Sequence, residues 1–238
     1  MIEEPYRWVE AIANRREYIE TQLAAGSPII ALSCSDGILF VTIGSGRQKI
    51  FEIYDRIAMG AIGHPGDIER LRMAAIELAS TEGFTRSAAD VSLRRLAHYS
   101  LSPVMKTAFE QVYGPPYLAR LLFAEVGATT AQDLFLRLDY DGSIASNSAG
   151  ETFVAISGAR EASDAIQQHL REHHRADSGL DEALRVAVDA WRSAQLSDNR
   201  QSDASRNSIE AALLERTNER AIRYRQLSTD ETGSATRS

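Results

Sequence analysis

The order of apolar segments along the chain is the feature that most constrains its fold. Short apolar runs typical of strands come in blocks, and a pair of helical segments follows each of the first two blocks. Such blocks favour an α+β fold over a succession of βαβ units. Several strand segments, such as 117–126, are apolar on both faces and need packing partners on both sides. Two stacked sheets with helix pairs outside would provide them, which predicts a four-layer α-β-β-α sandwich.

The predicted elements divide the chain into one large domain, 27–227, and two terminal segments. Ser35-Asp36-Gly37 and Asp141-Gly142 have the turn chemistry of hairpins. The polar stretch 197–207 predicts a surface loop, and 228–238 predicts a disordered tail because it offers almost nothing to bury. The predicted strands are 29–33, 38–43, 50–54, 57–62, 117–126, 134–140, 152–157, 209–214 and 221–227, and the predicted helices are 67–82, 88–112 (kinked or ended by Pro103), 161–174 and 180–194.

Residues 1–26 predict a leading amphipathic helix that ends at Gly26-Ser27-Pro28. Its apolar residues share one stripe at helical spacing. The stripe consists of Trp8, Ile12, Ile19 and Leu23. A helix of this kind either docks on its own core or uses the stripe to contact a neighbouring subunit.

Composition excludes several classes of protein. The 238 residues have a net charge of −7, and 24 of the 26 basic residues are arginine, the lysines being Lys49 and Lys106. An acidic chain of this kind argues against a nucleic-acid partner that needs a duplex-wide basic surface. A single cysteine, Cys34, rules out an internal disulfide framework and a four-cysteine zinc site. No apolar run reaches membrane-spanning length and no secretory signal is evident. We therefore expect a cytoplasmic protein without a membrane partner.

Two local motifs suggest chemistry only weakly. His169-Leu-Arg-Glu-His173 matches the H-x-x-E-H pattern of some zinc proteases, but no third ligand can be placed and the histidines are explained as the solvated end of a helix. Gly44-Ser-Gly46 lacks the spacing of a phosphate-binding loop, and no helix follows it. We accordingly expect neither a metal nor a cofactor.

Ser27 offers a catalytic alternative. N-terminal nucleophile hydrolases place a Thr, Ser or Cys before the first strand of a four-layer sandwich, where cleavage after a glycine frees an amine that acts as the base. Gly26-Ser27 has this position. Pro28 directly after it, and a preceding segment that looks like structure, oppose the interpretation.

An ordered series of segments resembles the α subunits of the proteasome core particle, most closely those of the actinobacterial type. The resemblance covers about residues 6–227, including two helices after Gly63. Its segments are SPIIAL (27–32), DGILFV (36–41), QKIFEIYD (48–55), GPPYLARLLFA (114–124), LFLRLDYDGS (134–143) and FVAISG (153–158). The resemblance implies the N-terminal-nucleophile-hydrolase type of sandwich.

The resemblance also implies a subunit without catalytic residues of its own. Catalytic β subunits have a freed threonine, an acidic residue about sixteen positions further on and a lysine on the third strand. Here these places are held by Ser27, Ile43 and Lys49, so the acidic residue is missing. The implied assembly is an outer homo-heptameric α ring stacked on threonine-protease β subunits, with the leading helix at the ring interface and the residues before it at the entrance. The Tyr-Asp gate motif of relatives is absent, so gate closure must differ.

Two residues are implied to bind an activator. Lys49 corresponds to a lysine in the pocket between neighbouring α subunits, which receives the C-terminal carboxylate of an activator such as a ring-shaped AAA ATPase. Gly63 corresponds to a glycine whose backbone approaches the inserted tail. Ala25 replaces a basic residue of archaeal relatives, which leaves Lys49 more isolated. Without the resemblance, Lys49 would be interpreted as an exposed lysine at a strand edge.

Overall fold

The computed structural model describes residues 5–44, 46–111, 113–147, 150–197, 208–217 and 222–234. Ten strands in these ranges form two five-stranded antiparallel sheets. The strands are β1 (Ile29–Cys34), β2 (Gly37–Gly44), β3 (Ile50–Tyr54), β4 (Ile57–Gly63), β5 (Ala119–Glu125), β6 (Leu134–Leu138), β7 (Ile144–Ser146), β8 (Phe153–Ile156), β9 (Ser208–Glu215) and β10 (Tyr224–Gln226). Sheet I has the order β10-β9-β2-β1-β8, and sheet II has the order β3-β4-β5-β6-β7.

Helices precede, separate and follow the strands. None of those in the described part of the chain has the combination of length and apolar character that crossing a membrane requires. The α-helices are α1 (Pro5–Leu23), α2 (Pro65–Thr85), α3 (Leu93–Arg95), α4 (Ser102–Glu110), α5 (Arg160–His173), α6 (Leu180–Ser197) and α7 (Thr229–Ser234); a π-helix spans Leu96–Leu101, and single 3₁₀ turns span Ala88–Asp90 and Thr130–Gln132.

Strand β1 shows why the layers form. Its residues are all buried, but successive side chains point to opposite faces. Ile30 and Leu32 pack against α5 and α6 on one side, whereas Ile29 and Ala31 pack against sheet II on the other. A third cluster joins sheet II to α2 and to the helical segments 93–110. The α+β sandwich with a leading helix is confirmed.

Two predicted elements differ from the structure. The single helix expected at 88–112 is divided, because Ser92 accepts a hydrogen bond from the backbone N–H of Arg95 and starts a new helix there. The π-helix then leads into α4, in whose first turn Pro103 fits.

The prediction of a disordered tail at 228–238 is wrong for Thr229–Ser234, which form α7. The backbone N–H of Ser228 donates to the Glu231 carboxylate at 2.8 Å, and the Glu231 N–H donates to Ser228 Oγ at 3.3 Å. This reciprocal pair is a capping box. Residues 235–238 and most of the predicted loop at 197–207 lie outside the described residues; Ser197 itself ends α6.

Candidate functional site

Lys49 and Ser27 lie just before strands β3 and β1, which belong to different sheets, and their side chains are in contact. Lys49 directly precedes β3, the edge strand of sheet II, and Ser27 lies two residues before β1 of sheet I. Lys49 Nζ donates a short hydrogen bond to Ser27 Oγ, and both residues are half-buried. Two residues that are 22 positions apart in the sequence therefore form one polar site where β1 and β3 begin.

Glu210 fixes the backbone of this site from the opposite sheet. Its carboxylate accepts the N–H of Lys49 at 3.0 Å to each oxygen and the N–H of Ile50 at 2.9 Å. The Tyr224 hydroxyl donates to the Ile50 carbonyl at 3.0 Å. Since Glu210 and Tyr224 belong to β9 and β10, sheet I holds the first residues of β3 in place.

The Lys49 ammonium forms no ion pair through its Nζ with any carboxylate of the described residues. Burial lowers the pKa of Lys49 and Arg47 lowers it further, whereas Glu210 raises it in part. Burial raises the pKa of Glu210, and the N–H bonds from Ile50 and Lys49 oppose that rise. The ammonium therefore remains available to an anion that enters the site.

A cavity of about 320 Å³ opens beside Lys49. Its volume is at the lower end for small-ligand sites. A Cβ on Gly44 would lie 3.3 Å from Ser27 Oγ and 3.9 Å from Lys49 Nζ, so a side chain there would crowd the pair; Ser27 itself is not among the residues that line the cavity. The residues that line the cavity include Gly44, Arg47, Gln48, Lys49 and Glu210.

Gly63 is not among the residues that line this cavity. It ends β4 opposite Ala119 with a φ of 137°, and a Cβ there would lie 2.0 Å from the Leu118 carbonyl oxygen. This close approach of two backbones explains the glycine within a single chain. The structure of one chain thus does not bring Gly63 and Lys49 into one pocket.

Comparison with known proteins gives the family to which this geometry belongs. A family model described as Proteasome subunit matches residues 23–212. The chain belongs to the proteasome subunit family. It is 36% identical over 216 residues to the proteasome subunit alpha of Frankia alni, covering 89% of this chain and 86% of the relative. The alpha subunit of Frankia casuarinae is 37% identical over 218 residues (90% and 88% covered), and that of Kineococcus radiotolerans is 34% identical over 227 residues (92% and 91% covered). The resemblance to actinobacterial α subunits is confirmed.

In this proteasome subunit, the residues before Ser27 are built into the domain. The Gly26 N–H donates to the Leu23 carbonyl oxygen at 2.8 Å, and the Gly26 carbonyl accepts the N–H of Gly158 at 3.1 Å. A Cβ on Gly26 would overlap Ile62. In the intact chain the Ser27 nitrogen is part of a peptide bond, so the hydrolase alternative requires cleavage after Gly26 to free an amine that could act as the base.

The helix α1 divides its apolar stripe between two environments. Ile19 and Leu23 are 0% and 1% exposed and pack with Phe109 and Tyr140. Trp8 is 44% exposed. Ile12, between them, is partly buried against the same cluster. Three of the four stripe residues are therefore used within the subunit, and Trp8 is left accessible.

Two polar networks fix α1 on the domain. Arg15 donates to the carbonyls of Phe109 at 2.9 Å and Gln111 at 2.6 Å, and also to Gly114, which places a cation at the C-terminal end of α4. Glu20 accepts from Arg120 at 3.1 Å and from the Tyr140 hydroxyl at 2.8 Å. Burial and the neighbouring Glu20 raise the pKa of Tyr140, so the hydroxyl stays protonated and keeps its role as donor.

The histidines of the H-x-x-E-H motif lie on α5 with their rings stacked 4.2 Å apart. His173 Nδ1 lies 2.9 Å from the His169 carbonyl oxygen. Burial, together with His173, lowers the pKa of His169. Within the described ranges, no group of three or more His, Cys, Asp or Glu residues could hold a metal ion.

Sequence reasoning did not identify Glu210 as part of the site or Ser27 as a partner of Lys49. Glu210 is a charged residue near the start of the strand Ser208–Glu215, whose residues 211–214 are all apolar, and this is the one available signal. Its contact with Lys49 spans 161 residues and depends on how the sheets pair. Nothing local in the sequence specifies that pairing.

Proposed function

We propose that this chain is a non-catalytic subunit of the outer α ring of a cytoplasmic proteasome core particle. Seven copies would form the ring, stack on a ring of threonine-protease β subunits, and control the entry of substrate proteins. The family and the α-subunit relatives support the assignment to the core particle. Two features support a non-catalytic role: Ile43 stands where catalytic relatives need an acidic residue, and Gly26 is hydrogen-bonded within the domain.

Intact mass distinguishes this role from that of a self-processing hydrolase. We expect the purified chain to retain residues 1–26, because Ile19 and Leu23 contribute fully buried side chains to its core. Loss of those residues during purification would contradict the non-catalytic role and support Ser27 as a nucleophile.

The half-buried Lys49 ammonium is the observation on which activator docking rests. Its described side-chain partner is the neutral Ser27 hydroxyl, and it lies beside an open cavity. A carboxylate brought into such a partly desolvated site gains a charge-assisted hydrogen bond of about 1.5–3 kcal/mol. The C-terminal carboxylate of a ring-shaped AAA ATPase is the ligand we propose, with the Gly63 backbone of a neighbouring subunit completing the pocket.

Lysine substitution tests the docking proposal. In the assembled particle, Lys49→Ala is expected to leave the rings intact by native mass spectrometry but to reduce ATPase-stimulated protein degradation at least tenfold, since the cited bond energy corresponds to about one order of magnitude in affinity. Lys106→Ala is the matched control, because Lys106 is exposed on α4 and pairs only loosely with Glu110 at 3.7 Å. Stimulation that is equal in both variants would remove Lys49 from this role.

The proposed gate consists of the residues that precede Trp8. Arg15 and Glu20 fix α1 on the domain, so that its N-terminal end is presented from a defined position in each subunit. We expect deletion of residues 2–7 to raise the basal hydrolysis of small peptides by an assembled particle. The Lys49→Ala particle serves as a control with an intact N-terminal segment. Unchanged basal turnover after the deletion would exclude a gating role for these residues.

A further inference from the structure

We infer that the paired histidines of α5, His169 and His173, together bind one divalent transition-metal ion of the zinc type. This site goes beyond the proposed function and does not depend on it. It revises the expectation, drawn from the sequence, that the two histidines form only the solvated end of a helix. It is a site for binding and not for catalysis, because a catalytic zinc ion takes three protein ligands and two are available here.

Helical spacing brings the two imidazoles together. Residues four positions apart are neighbours on one face of a helix, and two histidines at this spacing are a known zinc-binding arrangement. Both residues belong to α5, which ends at His173. Their ring centroids are 4.2 Å apart, and the ring planes are inclined by 19°. A single ion with Zn–N bonds of about 2.0–2.1 Å can therefore reach a nitrogen of each ring.

One ring has to turn before it can bind the ion. The lone pair of an imidazole nitrogen lies in the plane of its ring, and nearly parallel rings do not point at one common position. The ring of His169 is only partly buried, and that of His173 is exposed. Rotation of the His169 ring out of the stack therefore needs no repacking of the core.

A hydrogen bond determines which nitrogen of His173 is available. Its Nδ1 lies 2.9 Å from the carbonyl oxygen of His169. Because a carbonyl oxygen only accepts, Nδ1 carries the proton of the neutral ring and Nε2 keeps a free lone pair. A backbone carbonyl on the second nitrogen is a usual way of fixing the tautomer of a metal-binding imidazole. Nε2 of His173 is therefore the ligand atom.

The charges around the pair favour a cation. Burial lowers the pKa of His169 and the second imidazole lowers it further, so the ring is mostly neutral at pH 7. Asp189 of α6 and Glu172 oppose this shift, because both place negative charge near the ring. The same carboxylates attract a metal ion. Each has a partner of its own, Arg192 at 3.4 Å and Gln168 at 2.7 Å respectively, so we assign neither as a ligand.

The donor atoms select the class of metal. Imidazole nitrogen suits Zn²⁺, Cu²⁺ and Ni²⁺, whereas Mg²⁺ and Ca²⁺ take oxygen ligands. Across the described ranges, no third His, Cys, Asp or Glu joins the pair in a group that could hold a metal ion. The ring of the following residue, His174, packs edge-on against Phe153 at 5.7 Å. Water therefore fills the remaining coordination positions, and the affinity is lower than that of a four-ligand structural site.

Calorimetric titration of the full chain with Zn²⁺, made without a histidine tag, tests the site. We expect the wild-type chain to bind one ion. His169→Asn and His173→Asn should each reduce the affinity about tenfold or more, because a single imidazole cannot chelate. His98→Asn is the matched control and should bind as the wild type does, since His98 is an exposed histidine on the π-helix. An excess of Mg²⁺ should not compete.

Electron paramagnetic resonance of the Cu²⁺-loaded wild type provides a second measurement that needs no variant. Two coordinating imidazole nitrogens are expected. A wild-type chain that does not bind Zn²⁺, an affinity that survives either substitution, or a spectrum with a single imidazole nitrogen would overturn the inference. Circular dichroism verifies that the variants are folded, and the copper spectrum decides the question if one of them is not. The proposed function involves neither histidine, so it stands or fails separately.

Discussion

Asp133 and Arg216 form a buried, bidentate ion pair that links the two sheets. Arg216 Nη1 and Nη2 lie 2.7 and 2.8 Å from the two carboxylate oxygens of Asp133, whose side chain is 0% exposed. Asp133 directly precedes β6 of sheet II, and Arg216 directly follows β9 of sheet I. Ser33 of β1 donates a further bond to Asp133 at 2.6 Å. The pair therefore joins sheet I to sheet II at the end of β9 away from Glu210.

Neutralising Asp133 is expected to destabilise the subunit strongly. Asp133→Asn leaves the Arg216 guanidinium, 8% exposed, buried without its counter-charge. Breaking a buried pair in this way costs about 3–5 kcal/mol in the free energy of unfolding. Urea denaturation of the isolated chain measures this loss in the free energy of unfolding. Asp189→Asn is the control, because its pair with Arg192 is exposed and should be worth less than about 1 kcal/mol. Equal losses in the two variants would refute the importance of burial.

Removing Arg15 should loosen α1 without unfolding the sandwich. The guanidinium satisfies several carbonyls at the end of α4, and charged hydrogen bonds are worth about 1.5–3 kcal/mol. We expect Arg15→Ala to reduce hydrogen-exchange protection of the α1 amides about tenfold or more while the β1 amides keep theirs. Arg16→Ala should have little effect, because Arg16 is exposed and pairs with Asp141 at 3.2 Å. Protection of α1 that is unchanged in Arg15→Ala would disprove the anchoring role.

The buried and exposed ends of the α1 stripe should respond differently to truncation. Ile19→Ala removes a fully buried side chain and is expected to lower the free energy of unfolding by about 2–5 kcal/mol. Trp8→Ala removes a half-exposed ring and should change stability by no more than about 1 kcal/mol, yet weaken association between subunits. Chemical denaturation and native mass spectrometry measure the two effects. Rings that form equally well with alanine at position 8 would argue against Trp8 as an interface residue.

His174 is expected to make the fold sensitive to acid. Burial lowers the pKa of this imidazole to about 4, although Thr152 and Asp177 oppose the shift. The unfolded chain, with an ordinary histidine pKa, binds the proton first, so this stabilisation is complete above about pH 6.5 and is lost as the pH falls towards 4. The loss should be about 1–2 kcal/mol after solvent screening.

The variant His174→Gln isolates the histidine from other titrating groups. Urea denaturation of both proteins at intervals between pH 7 and pH 4 gives the difference in unfolding free energy. That difference should shrink as the pH falls. A constant difference would show that the imidazole does not titrate differently in the folded and unfolded states.

The layers could be predicted from the sequence because they depend on local patterns. Strand β1 is apolar at all positions except Ser33, and its Ile29 and Ile30 enter different cores, as two-sided burial requires. Helix boundaries were less predictable in 88–110. The apolar periodicity there continues through a 3₁₀ turn and a π-helix, whereas the backbone follows the Ser92 cap and the restricted geometry at Pro103.

The C-terminal correction illustrates how composition can mislead. Residues 228–238 contain almost no apolar side chain, but Ser228-Thr-Asp-Glu231 has the S-x-x-E spacing of a capping box. The Ser228 N–H and Arg225 together lower the pKa of Glu231 to about 2, so the cap stays charged through the neutral range. The capping-box motif in the sequence therefore predicts the start of α7 more accurately than the polar composition of this segment does.

The side-chain contacts within the candidate site could not be predicted from the sequence. The resemblance to a family position predicts a binding role for Lys49, which stays a prediction, but it does not predict the residues that contact Lys49. Ser27 is 22 residues away and Glu210 is 161 residues away, and both contacts arise only when the two sheets close. Side-chain chemistry that depends on such long-range pairing leaves no periodic trace.

The contact between Glu210 and the Lys49 backbone has a consequence for assembly. The site contains groups from both sheets, so a chain whose sheets have separated, or have not yet closed, does not present it. Under the proposed function, a partner that binds this site would therefore bind only those subunits in which the two sheets have closed.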